Sequence, residues 1–247
     1  MNATHNLPFY FEGIADQGIL CFEKLNGVFY AGTAAGQILR SENSVHWAVD
    51  PDLTVTDFRI RSLKKWANGL FIGTEPQGQI WVKNFTTDSP IYEFVQTPDQ
   101  AVTAMESFNG KLYVGTSPTG YIYSFDGSVW RREFRPYGSG INQMTVFQDR
   151  LYVFADTTET ATVFDGVSWK TMLATAYPPE YSVLAAGLGT EGLWFGGKSG
   201  RLFVYANGLS IVTKVEDEIR DLASLGTGQM MIATKSSLFL LEQGSNA

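Results

Sequence analysis

A unit of about 40 residues recurs six times along this chain, and a period of that size dictates the architecture before any other feature is weighed. Lys111-Leu112-Tyr113-Val114-Gly115-Thr116, followed by Phe125-Asp126-Gly127-Ser128-Val129-Trp130, aligns without gaps on Arg150-Leu151-Tyr152-Val153-Phe154-Ala155 and Phe164-Asp165-Gly166-Val167-Ser168-Trp169 at a constant offset of 39. The position of Thr116 is taken in turn by Thr33, Thr74, Thr116, Ala155, Gly197 and Thr234, with steps of 41, 42, 39, 42 and 37. The copies fill the chain, so one domain is expected over 1–247. Its expected parts are a closing strand within 1–17 and repeats over approximately 18–54, 55–100, 101–140, 141–181, 182–218 and 219–247.

Each copy reads as four strands. Val102–Phe108 leads through Asn109-Gly110 to Leu112–Thr116, and Asn-Gly between apolar runs is a strong hairpin signal because both turn residues need positive φ. A loop ending at Gly120 leads to Tyr121–Phe125, and Asp126-Gly127 turns into a fourth strand beginning at Trp130. The runs are apolar on both faces, as in sheets packed against neighbours on each side. The expected fold is therefore all-β, a six-bladed β-propeller of four-stranded antiparallel blades. The sixth copy runs out before its fourth strand could begin, while Leu7–Glu12 stands unassigned ahead of the first. That segment is expected to supply the missing outer strand and close the last blade, removing an open sheet edge.

Composition fits this reading: 17% charged residues, 14% aromatics and 25 glycines describe a turn-rich protein with few solvated positions. A net charge of -7 and the lack of any basic run argue against a nucleic-acid partner. No apolar run approaches spanning length and the N-terminus has no signal-peptide pattern, so no membrane partner is expected. The single Cys21 excludes an intramolecular disulfide, and with only His5 and His46 neither a metal cluster nor a Ser-His-Asp arrangement is expected. No cofactor is expected either.

Trp47, Trp130 and Trp169 recur at the start of the fourth strand. Packing between blades is the expected role, with sugar stacking as the alternative. Together with Asp126 and Asp165, and Thr33, Thr74 and Thr116, they form the repeat signature. Ser124-Phe125-Asp126-Gly127-Ser128-Val129-Trp130 resembles the Asp-box hairpin of sialidase-type propellers, with the Asp one position nearer its Trp. The Gly-Thr strand followed by Gly-x-Ile-Tyr is similar to kelch-like repeats. Degenerate repeats of this kind also resemble those of propellers in phage and viral particles. Phe58-Arg59-Ile60-Arg61 looks like the sialidase Phe-Arg-Ile-Pro segment, whose Arg binds a carboxylate, but it also reads as an innermost strand with polar groups toward the channel. Paired acids such as Asp50 and Asp52, or Asp217 and Glu218, read as solvated turn residues.

The two ends of such a ring differ. One carries tight hairpins, and the other carries longer loops containing Arg135, Tyr137, Asp156, Glu159, Tyr177 and Tyr181. Binding residues concentrate on loops of rigid scaffolds, and Tyr and Arg are favoured interface anchors. The expectation is a non-enzymatic interaction or scaffold protein with protein partners, in its most specific form a component of a phage or viral particle (tail, neck, baseplate or fibre). It would be located in the virion or otherwise the cytoplasm. A carbohydrate-binding propeller and a sialidase- or arabinanase-type hydrolase are the alternatives.

Overall fold

The computed structural model describes residues 4–6, 10, 11, 18–53, 55, 59–87, 92–136, 138–156, 160–173, 183–189, 192–205, 209–224, 229–234 and 238–242. In blade 3 the strands Ala101–Phe108, Lys111–Ser117, Ile122–Phe125 and Trp130–Phe134 pair antiparallel in chain order, from the centre outward. The other blades repeat this order. Their innermost strands are Ile19–Leu25, Arg59–Trp66, Ser139–Phe147, Val183–Gly189 and Ile219–Ser224, each beside its sequence neighbours and the last beside the first. The ring is a six-bladed propeller. Among the described residues no helix is long and apolar enough to cross a membrane.

One irregularity recurs in every innermost strand. Its pairing with the second strand slips by one residue at Leu20, Arg61, Thr103, Asn142, Leu184 and Arg220, so six β-bulges stand at one level of the ring. The kink turns the carbonyl before the bulge toward the preceding blade, where it accepts a side-chain hydrogen bond. Cys21 Sγ donates to Ile60 O at 3.7 Å, Ser62 Oγ to Val102 O at 2.8 Å and Asn142 Nδ2 to Val183 O at 3.1 Å, while Thr103 Oγ1 donates to Ile141 O. Burial pushes the Cys21 thiol well above its usual range, so it acts here as a small packed donor. At the seam between blades 6 and 1 the polarity reverses: Asp221 Oδ2 accepts from the backbone N–H of Phe22 at 2.5 Å.

The Gly-Thr signature follows from the same contact. Gly32, Gly73, Gly115 and Gly196 lie against Ile60, Val102, Ile141 and Ile219, the residues just before the next blade's bulge. A Cβ on Gly115 would stand 2.6 Å from Ile141 Cγ2, and one on Gly73 would stand 2.7 Å from the backbone oxygen of Val102. The Thr that follows is fully buried, and its hydroxyl spans the next loop: Thr33 Oγ1 to Gln37 O at 3.0 Å, Thr74 to Gln79 O at 3.2 Å and Thr116 to Tyr121 O at 3.2 Å. Asn109 and Gly110, at φ 48 and 75, make the hairpin turn that their sequence requires.

The outer hairpins are closed by the residue ten positions after each signature site. Asp126 Oδ1 accepts from the N–H groups of Ser128 and Val129 at 3.0 and 2.9 Å, Asp165 Oδ1 from those of Val167 and Ser168 at 2.9 and 2.8 Å, and Asn43 Oδ1 from those of Val45 and His46 at 3.0 and 2.9 Å. The Val129 and Ser128 N–H groups hold the Asp126 carboxyl down at about 2, and those of Ser168 and Val167 do the same for Asp165. Every blade interface has its own apolar core. Trp169 stacks on Phe164 of its own blade at 4.5 Å and on Phe134 of the preceding blade at 5.1 Å, Trp130 stacks on Phe125 at 4.9 Å, and Trp47 packs beside Phe22 in the core shared with Met231 and Ala233 of the last blade.

The ring is closed by the N-terminal strand, as expected within 1–17, at Thr4–Asn6 rather than within Leu7–Glu12. Thr4–Asn6 pairs antiparallel with Leu238–Glu242 as the fourth strand of the last blade, whereas Tyr10–Phe11 pairs parallel with the outer strand of blade 1, His46–Val49. Pro8 has no N–H to give a ladder, so a strand through it would lose a bond, and pairing falls on either side of it instead. Thr4–Asn6 and Tyr10–Phe11 thus belong to the blades on the two sides of the 6/1 seam. The inner strand of blade 4 begins at Ser139, inside the span expected for the third repeat.

Two outcomes are expected. Gly73→Ala should destabilise the fold by about 2 kcal/mol or more through overpacking against Val102, read by urea unfolding. Burial raises the Asp221 carboxyl to about 7, so the folded state binds a proton that the unfolded chain has already lost above pH 4. Its contribution is complete below about pH 4 and is lost as pH rises through about 7. Relative to wild type, Asp221→Asn should therefore gain stability between pH 4 and pH 8 by on the order of a few kcal/mol. A difference that stays constant across that range would contradict the assignment.

Candidate functional site

The six innermost strands surround a central cavity of about 480 Å³, within the usual range of small-ligand sites of roughly 300–1,000 Å³. Its wall is built in levels. The bulge level, near the start of the strands and so at the end of the ring carrying the inter-blade loops, presents Leu20, Arg61, Thr103, Asn142, Leu184 and Arg220 from blades 1 to 6. Three residues further along blade 1, and at the matching register of the others, stand Glu23, Lys64, Glu106, Thr145, Gly187 and Ala223. Half of that lower ring is charged and half is small.

Lys64 Nζ lies 2.5 Å from Glu106 Oε1 and 3.8 Å from Glu23 Oε2. Burial works to lower the Lys64 ammonium, but the two carboxylates outweigh it and hold it above its usual value. Burial pushes Glu23 up against the opposing pull of Lys64. Between the two levels Gln143 Nε2 reaches Asp221 Oδ1 at 3.3 Å. The lower level is a self-satisfied ion network.

At the bulge level Arg61 Nε stands 3.4 Å from Glu75 Oε2, which also holds Arg59 Nη1 through Oε1 at 3.6 Å, and Arg220 Nη2 contacts Glu218. Burial lowers the Arg61 pKa, Glu75 opposes the shift, and the nearby Arg220 adds to it. Arg59 itself is exposed at the rim and is not part of the channel wall, while Ile60 is fully buried. The segment 59–61 is thus an innermost strand with one arginine turned to the channel.

On the loop face the most organised surface is on blade 3. The guanidinium carbons of Arg132 and Arg135 lie 4.9 and 5.6 Å from the centre of the Tyr121 ring. Arg135 Nε donates to Thr119 O at 2.8 Å, and the buried Asp99 anchors the loop by accepting from Thr119 N at 3.2 Å and Thr119 Oγ1 at 2.5 Å. Among the described residues neither Arg132 nor Arg135 has a carboxylate partner. Two exposed positive charges and an aromatic ring are thereby held in place on a protein of net charge -7.

Of the expected binding residues, Arg135 belongs to this cluster and Asp156 ends the second strand of blade 4, half-buried and paired in register with Ser139. Tyr137, Glu159, Tyr177 and Tyr181 lie outside the described residues. The expected solvated Asp50 is buried and accepts from Asp52 N at 2.9 Å, so it caps its turn from inside. Tyr121 and Arg132 were legible only as strand residues. Their pairing depends on the register between the third and fourth strands, which the sequence pattern does not give. Among the described residues no group of three or more His, Cys, Asp and Glu is arranged to hold a metal ion.

No family model and no curated protein matches the chain. Solved structures do. Streptogramin B lyase superposes with a TM-score of 0.74 at 10% identity over 98% of each chain. The WD40 β-propeller domain of Doa1 gives 0.68 at 10% identity over 93% of this chain and 94% of that one. YCF48 bound to a D1 peptide gives 0.66 at 12% identity over 99% and 97%. At these identities the likeness is one of fold, and the propeller is shared by proteins of different activities.

Proposed function

We propose that the chain is a non-catalytic scaffold propeller that binds a protein segment of acidic character on its loop face. The observation that carries this is the Arg132–Tyr121–Arg135 cluster on blade 3, pre-ordered by Asp99 and Thr119 and free of carboxylate partners among the described residues. Arg and Tyr are the residues most often found to dominate binding energy, and a cluster already fixed in place loses little entropy on docking. The fold is consistent with this use: YCF48, a propeller of the same fold, is known with a D1 peptide bound. In its finer form the reading makes the chain a component of a phage or viral particle, on the strength of its repeat pattern.

Sedimentation from the native source tests both levels. Wild type is expected to co-migrate with a larger assembly. The combined variant Tyr121→Ala, Arg132→Ala, Arg135→Ala should fold with an unchanged far-ultraviolet spectrum but lose at least tenfold in retention, equivalent to about 1.4 kcal/mol or more. Retention equal to wild type would remove the surface from the proposal, and a wild-type chain found only as a lone monomer would remove the scaffold.

A further inference from the structure

The bulge level of the channel holds two arginines whose donors the fold uses only in part. Arg61 and Arg220 project from blades 2 and 6, on either side of Leu20 of blade 1, and Leu184 follows on the other side of Arg220. Three guanidinium groups, Arg59, Arg61 and Arg220, share two carboxylates, Glu75 and Glu218. The Nε atoms of Arg61 and Arg220 are both buried and neither makes a hydrogen bond; Arg61 Nε meets Glu75 only as an ion pair at 3.4 Å. Guanidinium groups have five directed donors and their natural complement is a planar oxyanion.

The other polar groups at this level are occupied. Thr103 Oγ1 is bonded to Ile141 O and Asn142 Nδ2 to Val183 O. Besides Glu75 and Glu218, the carboxyl beside this level is that of Asp221, which accepts from the N–H groups of Phe22 and Leu222 and from Gln143. The charged donors at this level are therefore the two arginines, with the second N–H of Asn142 Nδ2 on the opposite side of the ring, and the surfaces between and beside the arginines are leucines. A strongly hydrated phosphate finds no further charged donor here and meets leucines on two sides, whereas a single carboxylate on an apolar body matches both halves of the wall.

We propose that the loop-end mouth of the central channel binds a small organic acid, its carboxylate bridging Arg61 and Arg220 and its apolar body lying against Leu20 and Leu184. The cavity of about 480 Å³ accommodates a ligand of that class. The site is separate from the Tyr121 cluster on blade 3, so either can fail without the other.

Phenylacetate is a suitable probe, with inorganic phosphate and the neutral 2-phenylethanol as comparisons. Titration of the ¹⁵N-labelled full chain should shift the Arg61 and Arg220 Nε–H resonances with phenylacetate at millimolar concentration, and much less with either comparison. By calorimetry Arg61→Gln and Arg220→Gln should each weaken phenylacetate binding about tenfold or more, while Arg150→Gln, at the far end of the ring, should leave it unchanged. The proposal is overturned by unmoved Nε–H resonances, by phosphate or 2-phenylethanol binding as tightly as phenylacetate, or by binding that survives both substitutions. The resonance shifts are read on wild type, so they decide the matter even if a variant fails to fold.

Discussion

A carbonyl turned out of its ladder has to find a donor elsewhere, and the arrangement of this ring depends on that requirement. Each innermost strand bulges by one residue at the same level, and at four of the seams the preceding blade answers with a thiol, a hydroxyl or an amide, while at the 6/1 seam Asp221 accepts from the Phe22 amide instead. The approach that makes those bonds brings the residue before the bulge onto the backbone of the neighbouring second strand, and only glycine leaves room for it at Gly32, Gly73, Gly115 and Gly196. Where blade 4 has Phe154 instead, the facing residue shrinks to Val183. Bulge, donor and glycine occur together at the first three seams, and the remaining seams keep the bulge with a different donor or a different packing residue.

The same unit sets up the chemistry at the centre. A bulge residue is released from strict alternation, so the six of them form a level whose composition is free to vary while the packing around it is not. Leu20, Arg61, Thr103, Asn142, Leu184 and Arg220 show that freedom, and the adjacent level, with Lys64 between Glu23 and Glu106, lines the channel with charges that satisfy one another. Both surfaces proposed for binding, the channel mouth and the loop face where two arginines lie against Tyr121, are ones that the core does not constrain.

The architecture was legible in the sequence because its determinants are local. Asn109-Gly110 needs no tertiary information to turn, and the spacing from Thr116 to Asp126 to Trp130 repeats whatever surrounds it. Closure was legible in kind: the missing strand does come from the N-terminal side, but on Thr4–Asn6 rather than beyond Pro8. The channel was legible only at Arg61, on a strand read as turning polar groups inward, and its other wall residues were not. The bulge breaks the period of two that reveals which residues share a face, and the loop between the first two strands of the last blade is one residue longer, so Arg220 does not align with Arg61 by counting from Thr234. The Tyr121 cluster was hidden for a related reason, since Arg132 and Arg135 reach it only through the register between two strands.

Native-state hydrogen exchange along the innermost strands tests the central claim, that contacts at all six seams close one cooperative ring. The Phe22 amide, donated across the 6/1 seam to Asp221, and the inner-strand amides of blades 2 to 5 should exchange only through global unfolding, with the same free energy and the same dependence on denaturant. Exchange of Phe22 and the blade 6 amides through a separate, lower-energy opening would contradict it, because the ring would then be held by its individual blades and not by the contacts between them.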